Sequence, residues 1–226
     1  MKGDRAMTHG VAKEAFDQRM FRLYGAVWLF LVMTIVGLAW LDQDWLEPIL
    51  SEGGAIESVS AFGYFVCAGV LLVLCRTWSG RWHGAVVLTL MGLRELDFHA
   101  RFTDMNISKI KFYLSPEVPA MQKVAGLLVV VVLLYALYRL ARDHGRRWLQ
   151  GLRAGQACAY GVAFAIACAV IAKSLDGFAR KLGELGWVAS RQAVDYAMYF
   201  EETLEMGIPL MVALSIYCYH WHVRAR

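Results

Sequence analysis

The run from Ala26 to Leu41, AVWLFLVMTIVGLAWL, carries one hydroxyl and no charge. The run from Val124 to Tyr138, VAGLLVVVVLLYALY, adds only two tyrosine hydroxyls to hydrocarbon. A helix needs about 20 mostly apolar residues to cross the hydrocarbon core of a bilayer. A soluble domain of 226 residues has too little interior to hide such runs, and on its surface they would associate. Counting the runs that qualify or nearly so gives six, near 24–41, 55–75, 83–101, 120–140, 156–174 and 197–218. The expected fold is therefore all-α, a polytopic membrane bundle of six transmembrane helices. Composition agrees, with 58% hydrophobic residues, 19% charged residues and a mean hydropathy of +0.44. It excludes a disordered chain, a collagen-like chain and a nucleic-acid binder of ordinary composition.

Lysine and arginine set the orientation, because cytoplasmic loops carry an excess of them. With six spans the termini share a side. The N-terminal segment, the turns near 76–82 and 139–155, and the tail together hold fourteen of the 23 Lys and Arg. Both termini are thus expected in the cytoplasm. The domains read as a cytoplasmic arm over 1–23, a transmembrane domain over 24–218 and a cytoplasmic tail over 219–226. No cleavable signal pattern precedes the first run, so that run is expected to direct insertion, and a bacterial inner membrane suits the short loops. The Arg-rich stretch 139–153 follows from the same rule and from attraction to anionic lipid, not nucleic acid. The outer connections are an acidic 42–54, a mixed 102–118, and 175–196, whose Leu175, Phe178, Leu182 and Leu185 are spaced as an interfacial helix.

The third run resists a bland reading. Its purely apolar part, Ala85 to Leu93, is too short to span, so a crossing helix must carry Arg94, Glu95 and Asp97 into the membrane. The sixth must carry Glu201, Glu202 and Glu205. Under the six-span topology these groups fall at one depth, near the outer face, together with Glu57, His99, Lys173 and Asp176. Glu95 and His99 stand four residues apart, as do Glu201 and Glu205, so each pair shares a helix face. Ionisable groups at membrane depth cost several kcal/mol unless paired or wetted, and they mark function by default. In this shell Glu57, Glu95, Asp97, Asp176, Glu201, Glu202 and Glu205 outnumber Arg94, Arg101, Lys173 and Arg180 by three. Like charges cannot all remain ionised at low dielectric, so protons, a bound cation or water must relieve them.

Carboxylates and one imidazole from several helices make a metal shell. The expected ligands are Glu57, Glu95, His99, Glu205, Glu201 and Asp176. The ion would be a divalent metal, with zinc, manganese, iron and calcium all compatible with oxygen ligands and one nitrogen. Glu202 or Asp97 would serve as general base, and Arg94 and Lys173 as counter-ions or as anchors for an anionic headgroup. The competing reading is structural: salt-bridged helix ends, with acids comfortable at helix N-termini. The five cysteines fall in apolar runs, with no CxxC, and read as small core residues. His83, His220 and His222 read as interfacial, His9 and His144 as solvated. No P-loop, GxGxxG, HExxH, GxSxG or CxxCH is present.

One segment resembles a known family. Asp44-Trp45-x-Glu47-Pro48, followed by Glu57 at the start of a helix, is similar to the opening of the alkaline ceramidases and their wider membrane-hydrolase superfamily. The resemblance implies that Asp44, Trp45, Glu47 and Glu57 bind calcium beside a zinc site of a helix-borne serine, an aspartate and histidines. It covers about 15 residues. That superfamily has seven helices and paired histidines on the last one, where this chain has Glu201, Glu202 and Glu205.

Three functions follow from these residues. The first is a metal-dependent membrane hydrolase or transferase acting on lipid or on a lipid-linked or other small-molecule substrate, with membrane lipid and no nucleic acid as its partners. The second is a non-enzymatic assembly or sensor subunit whose charges form a structural ion-pair network. The third is a proton- or cation-coupled transporter, for which Gly207 and Pro209 would supply a kink just below Glu205. Oligomeric state is not encoded in any of these features.

Overall fold

The computed structural model describes residues 2–50, 54–75, 78–98, 102–103, 105, 107 and 109–224, apart from the side chains of 2–12, 43 and 47. His99, Arg101 and the Glu47 side chain therefore lie outside the described residues. Those described form helices and turns without strands. The helices are α1 (Lys2–Trp40), α2 (Gln43–Leu50), α3 (Ala55–Leu74), α4 (Arg81–Glu95), α5 (Ile110–Leu114), α6 (Ala120–Arg153), α7 (Ala157–Leu175), α8 (Phe178–Glu184) and α9 (Arg191–Arg224).

Four segments are long and apolar enough to cross a membrane: Lys13–Trp40, Asp44–Leu74, Ala120–Arg153 and Ala157–Leu175. Their outer faces suit lipid. Leu29, Met33, Val124, Leu128 and Leu134 are each about 60% exposed, a display that water would not tolerate over so large an area. The six expected runs all occur as helices, but the third and sixth differ from expectation. The helix expected over 83–101 stops at Glu95, which makes α4 about 22 Å long, shorter than a bilayer core. Helix α9 is longer than expected and begins at Arg191. The arm expected over 1–23 continues α1 as helix, and the Arg-rich 139–153 is not a loop but the last part of α6. Within 175–196 only Phe178–Glu184 forms a separate short helix.

Helix α9 is the hub. It packs along α7 most extensively, then α3, then α1, and α3 also carries α4 on another side. Seven consecutive residues of α9, Thr203 to Pro209, are buried, which only a helix surrounded by neighbours can achieve. Helix α6 is peripheral, touching α4 and α7. The connection from α6 to α7 is a Schellman turn: Gln156 N–H donates to Gly151 O at 2.9 Å and Gly155 N–H to Leu152 O at 3.1 Å. Gly155 takes φ +69°, which its missing Cβ permits.

Two ends of the bundle can be told apart by their contacts. At one, Phe16 of α1 stacks on Trp221 of α9 with centroids 3.7 Å apart, and Trp78 Nε1–H reaches His144 of α6 at 3.2 Å. Residues near both chain termini thus share this end. At the other, Leu46 and Leu50 of the amphipathic α2 pack with Leu31 and Leu38 of α1, Ile56 of α3, and Tyr199 and Met206 of α9. The acidic residues gather at this second end.

Candidate functional site

Helix α4 ends where its charges begin. Leu96 N–H bonds to Gly92 O at 3.3 Å, Asp97 N–H bonds to Arg94 O at 3.0 Å, and Asp97 turns to φ +43°. A non-glycine residue with positive φ breaks the helix there. Asp97 is therefore not on a helix face with Arg94, and the expected pairing of Glu95 with His99 falls outside the described residues. What forms here is a cross-helix contact. Arg94 Nη1 lies 3.1 Å from Glu95 Oε1, and Arg94 Nη2 lies 3.0 Å from Glu205 Oε1 on α9. The Glu95 side chain is 2% exposed and that of Glu205 10%, whereas Arg94 is 48% exposed. One half-exposed guanidinium thus holds two buried carboxylates from helices on either side of α3.

Helix α3 passes close to both. Gly63 permits this approach, because a Cβ there would sit 3.0 Å from the Pro209 ring. One residue on, Tyr64 is fully buried and within electrostatic reach of Glu95, Glu205 and Arg94. Its hydroxyl, like those of Ser60 and Thr203, has no hydrogen-bond partner among the described residues. A buried hydroxyl left unpaired costs about 1–3 kcal/mol, so this corner of the bundle is polar beyond what its own contacts satisfy.

The structure brings most of the sequence-predicted residues together here. Glu202 feels the charges of Glu205, Glu57, Glu201 and Arg94. Glu201 feels Asp176, Glu205, Lys173 and Arg94. Lys173 and Asp176 form a short ion pair at the end of α7, and this hydrogen bond holds the Asp176 carboxyl below the usual carboxylate range. Arg94 and Lys173 are therefore counter-ions of the cluster. Arg180 is not: its partner is Glu184 within α8, at 3.8 Å on the exposed surface. No three carboxylates of this end converge to a common ligand distance among the described residues.

No family model, curated protein or solved structure matches the chain.

A second cluster forms at the opposite end, where the sequence reading saw only core cysteines and an interfacial histidine. Cys158 starts α7, Cys218 is near the end of α9, and the helices are antiparallel neighbours. Their sulfurs lie 2.6 Å apart, with both cysteines unbridged. Cys218 and His222 are four residues apart on one face of α9, and a ring nitrogen of His222 lies within 4.8 Å of both sulfurs. His222 Nε2 lies 3.0 Å from Asp17 Oδ1 on α1. This Cys/Cys/His group could hold a metal ion. The i, i+4 spacing of Cys218 and His222 was visible in the sequence, but nothing there placed Cys158 or Asp17 beside them.

Proposed function

We propose that this chain is a six-helix membrane protein with cytoplasmic termini, whose outer-end carboxylate cluster binds a divalent cation. The loaded site then serves hydrolysis or group transfer on a lipid or lipid-linked substrate. The observation that carries this reading is the charge balance. Among the described residues, Glu95 and Glu205 are buried on a single guanidinium, with Glu57, Glu201 and Glu202 beside them, and the further cations of this end, Lys173 and Lys181, gather at Asp176. Such an excess at membrane depth requires a cation or protons to offset it.

Glu95 and Glu205 each direct Oε1 at Arg94, and their carboxyl groups also hydrogen-bond to each other, so a bound cation would take the place of the proton between them. Glu57 and Glu201 would complete an oxygen set, joined by His99, which follows α4 in the sequence, and Asp176 would act only if released by Lys173. An ion bound by these oxygens supplies Lewis-acid polarisation of an ester or phosphoester oxygen. Glu202, beside Glu205 but only half-buried, would accept the proton. Arg94 would keep the two buried carboxylates in position.

The test is elemental mass spectrometry on the full chain purified in mild detergent, alongside Glu205→Ala and His99→Ala. About one metal per chain in the wild type, lost in both variants, is the expected result, followed by a lipid-hydrolysis screen of the loaded protein. Metal-free protein after supplementation with zinc, manganese, iron and calcium would overturn the reading. The Arg94 bridge between α4 and α9 specifically favours one second reading, a structural ion-pair network. That reading wins if neutralising Glu95, His99 and Glu205 together changes stability alone. A cation-dependent flux in proteoliposomes would instead favour transport.

A further inference from the structure

We infer that Cys158 and Cys218 are a redox pair that closes to a disulfide by exchange with a small-molecule disulfide, with His222 as the proton acceptor. The sulfurs of Cys158 and Cys218 are in direct contact across antiparallel α7 and α9, with both cysteines unbridged, which puts them within reach of a disulfide bond. A closed structural zinc site takes four protein ligands, and among the described residues this group supplies three.

The surroundings assign different roles to the two thiols. Cys218 is fully buried, whereas Cys158 is partly exposed at the end of the bundle. A small disulfide arriving from outside therefore meets Cys158 first, and Cys218 is placed to resolve the product. His222 Nε2 lies 3.0 Å from a carboxylate oxygen of Asp17, an acceptor, so with Nε2–H donating there Nδ1 is the nitrogen left to accept a proton. The Cys158 sulfur, and then Asp17, hold the imidazole above its ordinary titration range. On the proposed orientation this end faces the cytoplasm, where disulfides are transient and regulatory or catalytic, not structural.

The chemistry balances. Cys158 gives its proton to His222, and its thiolate attacks one sulfur of the small disulfide, expelling one thiolate. That thiolate takes the proton of Cys218, whose sulfur then attacks Cys158. The second small thiolate leaves and takes the proton held by His222. Two electrons pass from the protein to the small disulfide, which departs as two thiols. The product bond fastens α7 to α9.

The experiment uses the full chain, reduced, in mild detergent, with glutathione disulfide as the oxidant. Intact mass and non-reducing peptide mapping are read over time. The expected product has lost two hydrogens, joins Cys158 to Cys218 and carries no lasting glutathione. Cys218→Ala should trap glutathione on Cys158, and His222→Gln should slow that trapping by about tenfold while leaving the end point unchanged. Three results overturn the inference: both thiols still alkylatable after excess glutathione disulfide, a bond from Cys158 to Cys75 instead, or a co-purified zinc that shields the pair until chelated. The wild-type measurement stands alone if either variant fails to fold. Nothing in it depends on the outer cluster, so its failure and that of the proposed function are separable.

Discussion

Replacing Arg94 with methionine keeps the length of the side chain and removes the one guanidinium shared by Glu95 and Glu205. Two charge-assisted hydrogen bonds go, at 3.1 and 3.0 Å. Their carboxylate ends are 2% and 10% exposed, so neither acid can turn to water without moving its helix. Breaking a fully buried pair from one side costs about 3–5 kcal/mol, and an exposed pair about 0.2–1 kcal/mol. Arg94 itself is 48% exposed, and solvent screening at its end lowers the first figure. The expected cost of Arg94→Met is therefore about 2–3 kcal/mol. Equilibrium unfolding in mixed detergent micelles, followed by tryptophan fluorescence, measures it. Arg139→Met is the internal control, because Arg139 and Asp143 are both over a third exposed within one helix, and its unfolding midpoint should stay close to that of the wild type. Adding Glu205→Gln to Arg94→Met removes one of the stranded charges and should recover about 1 kcal/mol or more. Equal costs for Arg94→Met and Arg139→Met would show that Glu95 and Glu205 are not held by this guanidinium, and the charge argument for the site would fall with it.

Gly161→Ala places a Cβ 2.2 Å from Ser215 Oγ and 2.3 Å from the Tyr24 hydroxyl, which wedges α7 away from α9 and α1. A loss of about 1–3 kcal/mol is expected by thermal unfolding, whereas Gly69→Ala, with nothing within 4 Å, should gain about 0.5–1 kcal/mol from helix propensity. At the end of α7 the Lys173 ammonium depresses the Asp176 pKa. A depressed carboxylate stabilises the fold above its unfolded pKa and loses that contribution as pH falls through its folded one. Lys173→Met should therefore return Asp176 to the ordinary value near about 3.9 in a carbon-detected NMR titration. The two proteins should differ by less than about 1 kcal/mol near neutrality, because the pair is largely exposed, and converge below the folded pKa. An unchanged Asp176 titration would refute the pairing.

The apolar runs were legible because a span of about 20 hydrocarbon side chains has few alternatives in any fold. Where such a helix stops was not. The stretch after Leu93 reads equally as a helix carrying its charges onward or as a turn. The choice goes to the turn because Arg94 meets Glu205, a residue 111 positions away, and a chain that has made that contact has no reason to extend through Asp97. The gathering of the acidic residues was readable from the order of the apolar runs, and Glu57, Glu95, Glu201, Glu202 and Glu205 do lie at one end of the bundle. Which of them meet Arg94 was not readable, since it depends on which helices flank α3. The same limit hid the second cluster. Cys218 and His222 share a helix face by spacing alone, but a two-ligand pair is ordinary. It becomes chemistry only when α7 delivers Cys158 and α1 delivers Asp17, and both deliveries follow from α9 taking the centre of the bundle. That placement has its own cause in sequence: Gly207 lets Leu31 of α1 and Cys168 of α7 come close to α9, and Gly63 lets α3 close on Pro209. The central position of α9 thus accounts for both clusters: its N-terminal half presents Glu205 to α4 across Gly63, and its C-terminal half presents Cys218 and His222 to α7 and α1.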